Sequence, residues 1–136
     1  MEIEKAVEFV RKNPRAILAT RRRDGSPQMS PIVVAVDDGG RWLISSRETA
    51  YKAKNARRDA RVSLCHINEG FFGDWIQTDG TAEIVSLPDA MDLLVDYYRR
   101  LSGEHPDWDD YRGAMQREKR LIIRVTIERA GPDRAG

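Results

Sequence analysis

The sequence is short of the features that mark several large classes of protein. Its 136 residues include one cysteine, Cys65, so the chain has no internal disulfide and no cysteine ligand set for a metal. Its formal net charge of +1 gives no overall field toward nucleic acid or a membrane surface. It also lacks a glycine-rich nucleotide loop, a zinc motif and a serine nucleophile elbow. These absences argue against a disulfide-rich protein, a zinc protein and a serine hydrolase.

Long apolar runs are missing as well. No stretch approaches the length that spans a membrane, and Met1–Lys5 lacks the apolar core of a signal peptide. We therefore expect a cytoplasmic protein with no membrane or nucleic-acid partner. A nucleic-acid patch around Arg21–Arg23 is an alternative, which the balanced charge and the lack of interleaved aromatic residues disfavour.

The length and composition suit one domain over residues 1–136. The chain is 40% hydrophobic and 33% charged, as in globular proteins. Runs rich in β-branched residues and bounded by turn residues predict strands. The six predicted strands are Ala16–Thr20, Gln28–Val36, Arg41–Ser46, Arg61–Ile67, Trp75–Ser86 and Leu121–Ile127. Helices are predicted near 3–10, 49–58, 88–101 and 109–118.

The predicted connections decide the fold class. Most strands are joined by short turns, and only helix 49–58 could serve as the crossover that a parallel sheet requires. We therefore predict a mainly β (α+β) fold, a six-stranded antiparallel barrel with helices packed outside.

The segment between the third and fourth predicted strands carries the clearest chemistry. Ser45 and Ser46 end an apolar run, and Lys52 lies on the helix that follows. Hydroxyls at a strand end, facing a lysine on the next helix, can hold one phosphate. The alternative is a solvated basic helix face. Helical spacing favours the phosphate site, because Lys52 and Asn55 share a face from which Lys54 points away.

Cys65 and His66 are neighbours on one predicted strand. Side chains alternate along a strand, so the two point to opposite faces and cannot act as a nucleophile and its base. We expect Cys65 to be a small core residue.

Several segments, in this order, resemble the pyridoxamine-phosphate-oxidase-like superfamily of flavin and deazaflavin split-barrel proteins. They are Ala19–Thr20 with Asp24–Pro31, Ser45–Leu64, Asp79–Glu83 and Gly103–Arg112. The last of these resembles a helix of the branch that uses coenzyme F420.

This resemblance implies a split β-barrel homodimer that holds a flavin-like ring in a groove between subunits. F420 is the cofactor it favours, with FMN as the alternative. Trp75 is expected to wall off the ring and exclude water. The implied site residues are Ser30, Pro31, Ile32 and Val33 against the ring, Ser45, Ser46, Arg47, Tyr51, Lys52 and Asn55 at the phosphate, and Asp74, Trp75 and Ile76 along the groove.

The sequence departs from the family pattern at two places. Ala50 and Tyr51 stand where relatives carry arginine, so Arg47 or Lys54 is expected to supply the missing charge. Pyridoxamine-phosphate oxidase itself fits poorly, since no segment bearing arginine and histidine follows Arg124.

Two functional classes remain open. One is an F420-dependent reductase that transfers a hydride to an unsaturated or conjugated small molecule, with an FMN-dependent oxidoreductase as its variant. The other is a non-catalytic flavin- or haem-related binding protein, because one fold can serve several functions.

Overall fold

The computed structural model describes residues 1–133 as one antiparallel sheet with four helices around it. The strands are β1 (Arg15–Arg21), β2 (Pro27–Val33), β3 (Ala35–Val36), β4 (Trp42–Arg47), β5 (Arg61–Ile67), β6 (Trp75–Val85) and β7 (Arg120–Asp133). The helices are α1 (Ile3–Lys12), α2 (Tyr51–Arg58), α3 (Met91–Ser102) and α4 (Trp108–Arg117). None of these helices is long and apolar enough to cross a membrane. Residues 134–136 of the predicted domain lie outside the described residues.

The order of the strands closes the sheet on itself. It runs β2-β1-β5-β6-β7-β4-β3, so the two edge strands, β2 and β3, are consecutive in the chain with only Val34 between them. Two residues span roughly 7 Å, so the two edges of the sheet must meet at this point. The predicted α+β antiparallel split barrel with flanking helices is confirmed.

The predicted count of six strands is wrong, because the chain forms seven. The segment 28–36 was expected to be one strand, but it divides at Val34. The Val34 N–H donates to Pro14 O at 2.7 Å, and its side chain is 1% exposed. Residues before Val34 pair with β1, whereas Ala35 and Val36 pair with β4 at the other end of the sheet.

Strand β4 separates two hydrophobic cores. Trp42 and Ile44 point into the barrel, and Leu43 points to the outer side, where α3 and α4 pack. Ala90, the N-cap of α3, and Leu94 on its first turn are both fully buried against this outer side of β4. Because β4 is buried on both faces, the strand that leads to the candidate phosphate segment is held rigidly.

Gly80 allows β6 and β7 to approach closely where their register shifts. A Cβ at this position would lie 2.2 Å from Thr126 O, closer than any side chain permits. The register of the two strands changes between Asp79 and Gly80, which marks a bulge. Residues 79–80 thus form a bulge within one continuous strand.

His66, and not Cys65, occupies the barrel interior. His66 is fully buried, with its Nε2 2.7 Å from Thr78 Oγ1, and Trp42 Nε1 donates to the same oxygen at 3.2 Å. Cys65 is only half-buried on the outer face, so its predicted place in the core is wrong. Burial lowers the pKa of His66 to about 3, which keeps the imidazole neutral in the folded protein.

His66 should make the protein less stable in acid. In the unfolded chain it titrates near its ordinary pKa of 6.5, so below that pH the unfolded state binds a proton that the native state refuses. The stabilisation is complete above pH 6.5 and is lost as the pH falls toward 3. Between pH 7 and 5 we expect wild type to lose about 2 kcal/mol more unfolding free energy than His66→Gln.

Urea unfolding of both proteins at several pH values measures this difference. The test compares how steeply the unfolding free energy of each protein changes with pH, so a lower overall stability of His66→Gln does not affect it. Parallel slopes would show that His66 is accessible to protons in the native state.

Candidate functional site

Lys52 lies in the split of the barrel, between β2 and β4. It is on the first turn of α2, and its Nζ donates to Ser30 Oγ on β2 at 3.4 Å. Ala53 and Ala56 on the buried side of α2 are small, which lets the helix pack closely against the barrel. The barrel packing of α2 thus directs the Lys52 ammonium into the split.

A cavity of about 300 Å³ surrounds this lysine. Helix α2 begins at the cavity, and its N-cap residue, Ala50, has no side chain that could bond the first N–H groups. Those groups and the helix dipole attract an anion. The cavity is lined by Ser45, Ser46, Arg47, Thr49, Ala50, Lys52 and Arg120.

The Ser46 hydroxyl has no hydrogen-bond partner within the described chain. Ser46 is 2% exposed, and its Oγ is one of three buried side-chain polar atoms without a partner in residues 1–133. A buried hydroxyl left unpaired costs about 1–3 kcal/mol. Since Ser46 lines the cavity, an anion bound there would supply the missing acceptor.

The charges around the cavity are unbalanced. Arg47 Nη2 and Arg120 Nη2 lie 3.3 and 3.0 Å from the same oxygen, Oε1 of Glu118. Lys52 forms no ion pair with any carboxylate of residues 1–133. Burial, and to a lesser extent the charge of Arg120, lowers the pKa of Lys52. A bound anion would relieve both effects.

Arg120 is the charged cavity residue that the sequence analysis missed. It is the first residue of β7 and lies opposite Arg47 in the β4–β7 ladder. The alternatives named from the sequence are placed differently: Lys54 is exposed on α2 and outside the cavity lining, whereas Arg47 lines it. No local pattern marks Arg120, because its position depends on a pairing between strands more than seventy residues apart.

Two residues predicted at the phosphate lie outside the cavity lining. Asn55 is buried between α2 and β1, where its Nδ2 donates to Thr20 Oγ1 at 3.2 Å and its Oδ1 accepts from Arg58 at 3.2 Å. Tyr51 begins α2 with its side chain 74% exposed. Asn55 thus fastens the helix that carries Lys52.

The free edge of β2 borders the same split. Val33 O accepts a hydrogen bond from the Tyr97 hydroxyl at 2.9 Å, so the backbone groups of Val33 point away from β1. Backbone groups alternate along a strand, so those of Met29 and Pro31 also face the free edge. Pro31 has no N–H, which is tolerated there because no ladder bond is lost. The edge offers the N–H groups of Met29 and Val33 and the carbonyl of Pro31, whereas the backbone groups of Ser30 and Ile32 point toward β1.

Asp74, Trp75 and Ile76 are not brought to the cavity within one chain. They lie at the start of β6, and both β1 and β5 separate β6 from β2 in the sheet. The Ile76 side chain is 2% exposed and points into the barrel core, whereas Trp75 is half-buried on the opposite face and Asp74 is exposed.

Apolar residues form a patch on the outer face of β2, β1, β5 and β6, beside the polar residues Ser63, Gln77 and Asp79. The registers place Met29 opposite Ala19, Pro31 opposite Ile17, Ile17 opposite Cys65, and Ile67 opposite Trp75, all on this face. Met29 and Val33 are 63% and 40% exposed. A partly exposed apolar patch of this kind is typical of an interaction surface.

A larger groove elsewhere in residues 1–133 is a poorer candidate. It measures about 470 Å³ and lies between α1 and the β3–β4 turn. Its arginines are already bonded, Arg41 to Asp37 at 2.9 Å and Arg11 to the carbonyls of Val36 and Asp37. The smaller Lys52 cavity has the unpaired hydroxyl and the unbalanced charge.

Comparison with known proteins gives the family. The model of the pyridoxamine 5'-phosphate oxidase family matches residues 3–132, so the chain belongs to that family. The crystal structure of conserved hypothetical protein Rv2991 from Mycobacterium tuberculosis is similar, with 28% identity, a TM-score of 0.76, and coverage of 96% of this chain and 82% of that one.

Two other similar structures carry functional descriptions. One is an F420 reductase, with 23% identity, a TM-score of 0.69, and coverage of 91% of this chain and 94% of that one. The other is HutZ, the haem storage protein from Vibrio cholerae, with 18% identity, a TM-score of 0.74, and coverage of 98% and 96%. At these identities the likeness shows a shared fold.

Ser46→Ala should separate stability from anion binding. The hydroxyl has no partner to lose, so we expect the unfolding free energy of the ligand-free protein to stay within about 0.5 kcal/mol or to rise. The stabilisation by added inorganic phosphate should shrink, because one ligand donor is gone. Thermal unfolding with and without phosphate, at constant ionic strength, measures both quantities.

Ser86→Ala is the matched control. Its hydroxyl bonds Glu48 at 2.7 Å and Arg57 at 2.6 Å, so this variant should lose stability and keep the full phosphate effect. An undiminished phosphate effect in Ser46→Ala would remove Ser46 from the site.

Proposed function

We propose that this protein is an F420-dependent reductase that transfers a hydride to an unsaturated or conjugated small molecule. The observation that carries this proposal is the anion cavity around Lys52, which opens beside the free edge of β2. A cofactor with a phosphate and a polar ring edge would use both features at once.

The cavity would hold the cofactor phosphate. Lys52 would give a charge-assisted contact, the Ser46 hydroxyl would gain its missing partner, and the first N–H groups of α2 would face the phosphate oxygens. Arg47 would add positive charge from the rim, since its side chain is 56% exposed.

The edge of β2 would orient the ring. The N–H groups of Met29 and Val33 and the carbonyl of Pro31 would meet the ring's alternating acceptors and donors. Reduced F420, when bound, supplies the hydride. The protein would contribute orientation, because the close positioning of reactants accounts for a large part of a rate enhancement.

Neither histidine is placed to donate a proton in this split. His66 is sealed in the barrel, and His105 Nδ1 accepts from the Asp107 N–H at 2.9 Å within an aromatic cluster beside α4. We propose that the proton comes from solvent.

Two alternatives use the same cavity. FMN has the phosphate that the cavity would hold, so an FMN-dependent oxidoreductase is the second candidate. A non-catalytic role is the third, since the fold is shared with a haem storage protein as well as with an F420 reductase.

We also propose that two copies of the chain form the complete site. The apolar outer face of β2, β1, β5 and β6 would pack against a second copy. This face includes Val33, so it adjoins the edge that would hold the ring. Asp74 and Trp75, which a single chain leaves away from its cavity, would then reach the groove from the partner subunit.

Lys52→Ala should weaken cofactor binding. Losing a hydrogen bond to a charged group costs about 1.5–3 kcal/mol, which corresponds to roughly 10- to 100-fold in dissociation constant. Tryptophan fluorescence titrations with F420 and FMN in parallel measure the affinity and identify the preferred cofactor. Lys54→Ala, an exposed lysine on the same helix, is the control and should bind normally.

The outcomes separate the candidates. Binding and oxidation of reduced F420 with a quinone or enone supports the reductase, whereas preference for FMN assigns the second candidate. Binding of reduced F420 without its oxidation by a quinone or an enone points to a carrier. Equal affinities for wild type and Lys52→Ala would remove the lysine from the site.

Met29→Lys should separate the two copies. It places a charge within the apolar outer face, and we expect a wild-type dimer to become a monomer in sedimentation velocity and to lose cofactor affinity. Ile3→Lys, a change at an exposed apolar residue of α1, should leave the dimer intact. A monomeric wild type would contradict this proposal.

A further inference from the structure

We propose that Arg120 is a second anion ligand of the Lys52 cavity, and that Glu118 competes with the bound phosphate for it. This inference rests on the proposed function, because it concerns the same cavity, but it assigns a role to two residues that neither the family resemblance nor the sequence singled out.

The position of Arg120 fits a ligand. It lines the cavity with Lys52, and its side chain is 26% exposed, against 56% for Arg47. Its charge also acts on Lys52, since it is one cause of the lowered pKa of that lysine. Two like charges that line one half-buried cavity repel each other until an anion lies between them.

Glu118 forms an ion pair with Arg120. Its Oε1 accepts from Arg120 Nε at 3.1 Å and from Nη2 at 3.0 Å, so the guanidinium binds a single carboxylate oxygen. Arg47 shares that same oxygen at 3.3 Å. One carboxylate thus serves two arginines, and with Lys52 the group keeps two positive charges unbalanced.

The competition has a consequence for the ligand. A phosphate group can face Lys52, the Ser46 hydroxyl and Arg120 together. Arg120 must then either turn away from Glu118 or divide its N–H groups between Glu118 and the phosphate. Removing the Glu118 charge should therefore tighten phosphate binding, whereas removing the Arg120 charge should weaken it. A carboxylate that merely oriented Arg120 for the ligand would give the opposite sign when neutralised.

The test uses inorganic phosphate as the probe, with calorimetric titration at constant ionic strength. We expect Arg120→Gln to weaken phosphate about tenfold, as the loss of a charge-assisted bond requires. Glu118→Gln should tighten it several-fold. Lys12→Gln, which removes an exposed charge on α1 outside the cavity lining, is the control and should change nothing. If Arg120→Gln does not fold, Arg120→Lys replaces it and should still weaken binding, because lysine cannot reproduce the forked contact.

A double-mutant cycle assigns the effect to Arg120. Arg120→Gln combined with Glu118→Gln should lose the gain that Glu118→Gln gives alone, whereas Arg47→Gln combined with Glu118→Gln should keep most of it. A gain that disappears with Arg47 instead would overturn the inference.

Failure of this inference is distinguishable from failure of the proposed function. If Lys52→Gln loses phosphate while Arg120→Gln and Glu118→Gln bind as wild type does, Arg120 is not a ligand and the cavity stands. If no variant differs from wild type, or wild type binds no phosphate, the cavity is not an anion site, and both this inference and the phosphate anchor are overturned. Titration with F420 and turnover decide the reductase proposal separately.

Discussion

The hydrogen bond from Val34 N–H to Pro14 O is the constraint on which the site depends. At 2.7 Å it continues the register of β1 and β2 by one bond, and Pro14 has no N–H to return, so the pairing ends here and the chain passes from one edge of the sheet to the other. The barrel consequently closes at one point and remains open along the rest of β2. The opening leaves room for Lys52 and exposes the backbone of β2. A straight strand over 28–36 would not bring the two edges of the sheet together at Val34.

The split also explains why polar groups beside it are left without hydrogen-bond or ion-pair partners. Elsewhere in residues 1–133, charged side chains are commonly paired, as Arg57 is with Glu48 at 2.6 Å. At the split, the buried Ser46 hydroxyl lacks a hydrogen-bond partner and the half-buried Lys52 ammonium lacks a counterion. Both reduce the stability of the ligand-free fold, since buried polar groups are normally bonded. Violations of this rule that cluster in one cavity are expected where a ligand completes the structure. The larger groove beside α1 contains no comparable violation within the described residues.

Local patterns were enough to predict the part of the site that lies within one stretch of chain. Ser46 and Lys52 are six residues apart, so the end of a strand and the first turn of a helix fix their proximity. Arg120 could not be predicted, because its place beside Arg47 depends on the β4–β7 pairing. The break at Val34 was missed for a related reason, since the pairing with β1 ends at Pro14, twenty residues earlier, which has no N–H to return to Val34. Alternation put Cys65 and His66 on opposite faces but could not say which face was inside. Hydrophobicity favoured the cysteine, whereas the bond to Thr78 made it possible to bury the histidine.

The same geometry shows how much of a cofactor site one chain can supply. The Lys52 cavity lies at one end of the split, and the free edge of β2 continues from it. No part of the described chain lies opposite that edge to enclose a cofactor ring. Trp75 is next to Ile76, which pairs with Asp133 at one end of β7, whereas Arg120 of the cavity is at the other end, so no side-chain rearrangement within the chain can bring Trp75 to Lys52. The apolar patch on the outer face of β2, β1, β5 and β6 includes Val33, which also belongs to the free edge of β2. A second copy packed on this face would exclude water from the ring and strengthen the electrostatic contacts of the cavity, since charges interact more strongly where water is absent. Anion binding and dimer formation would then depend on each other, because each completes a surface that the other leaves open.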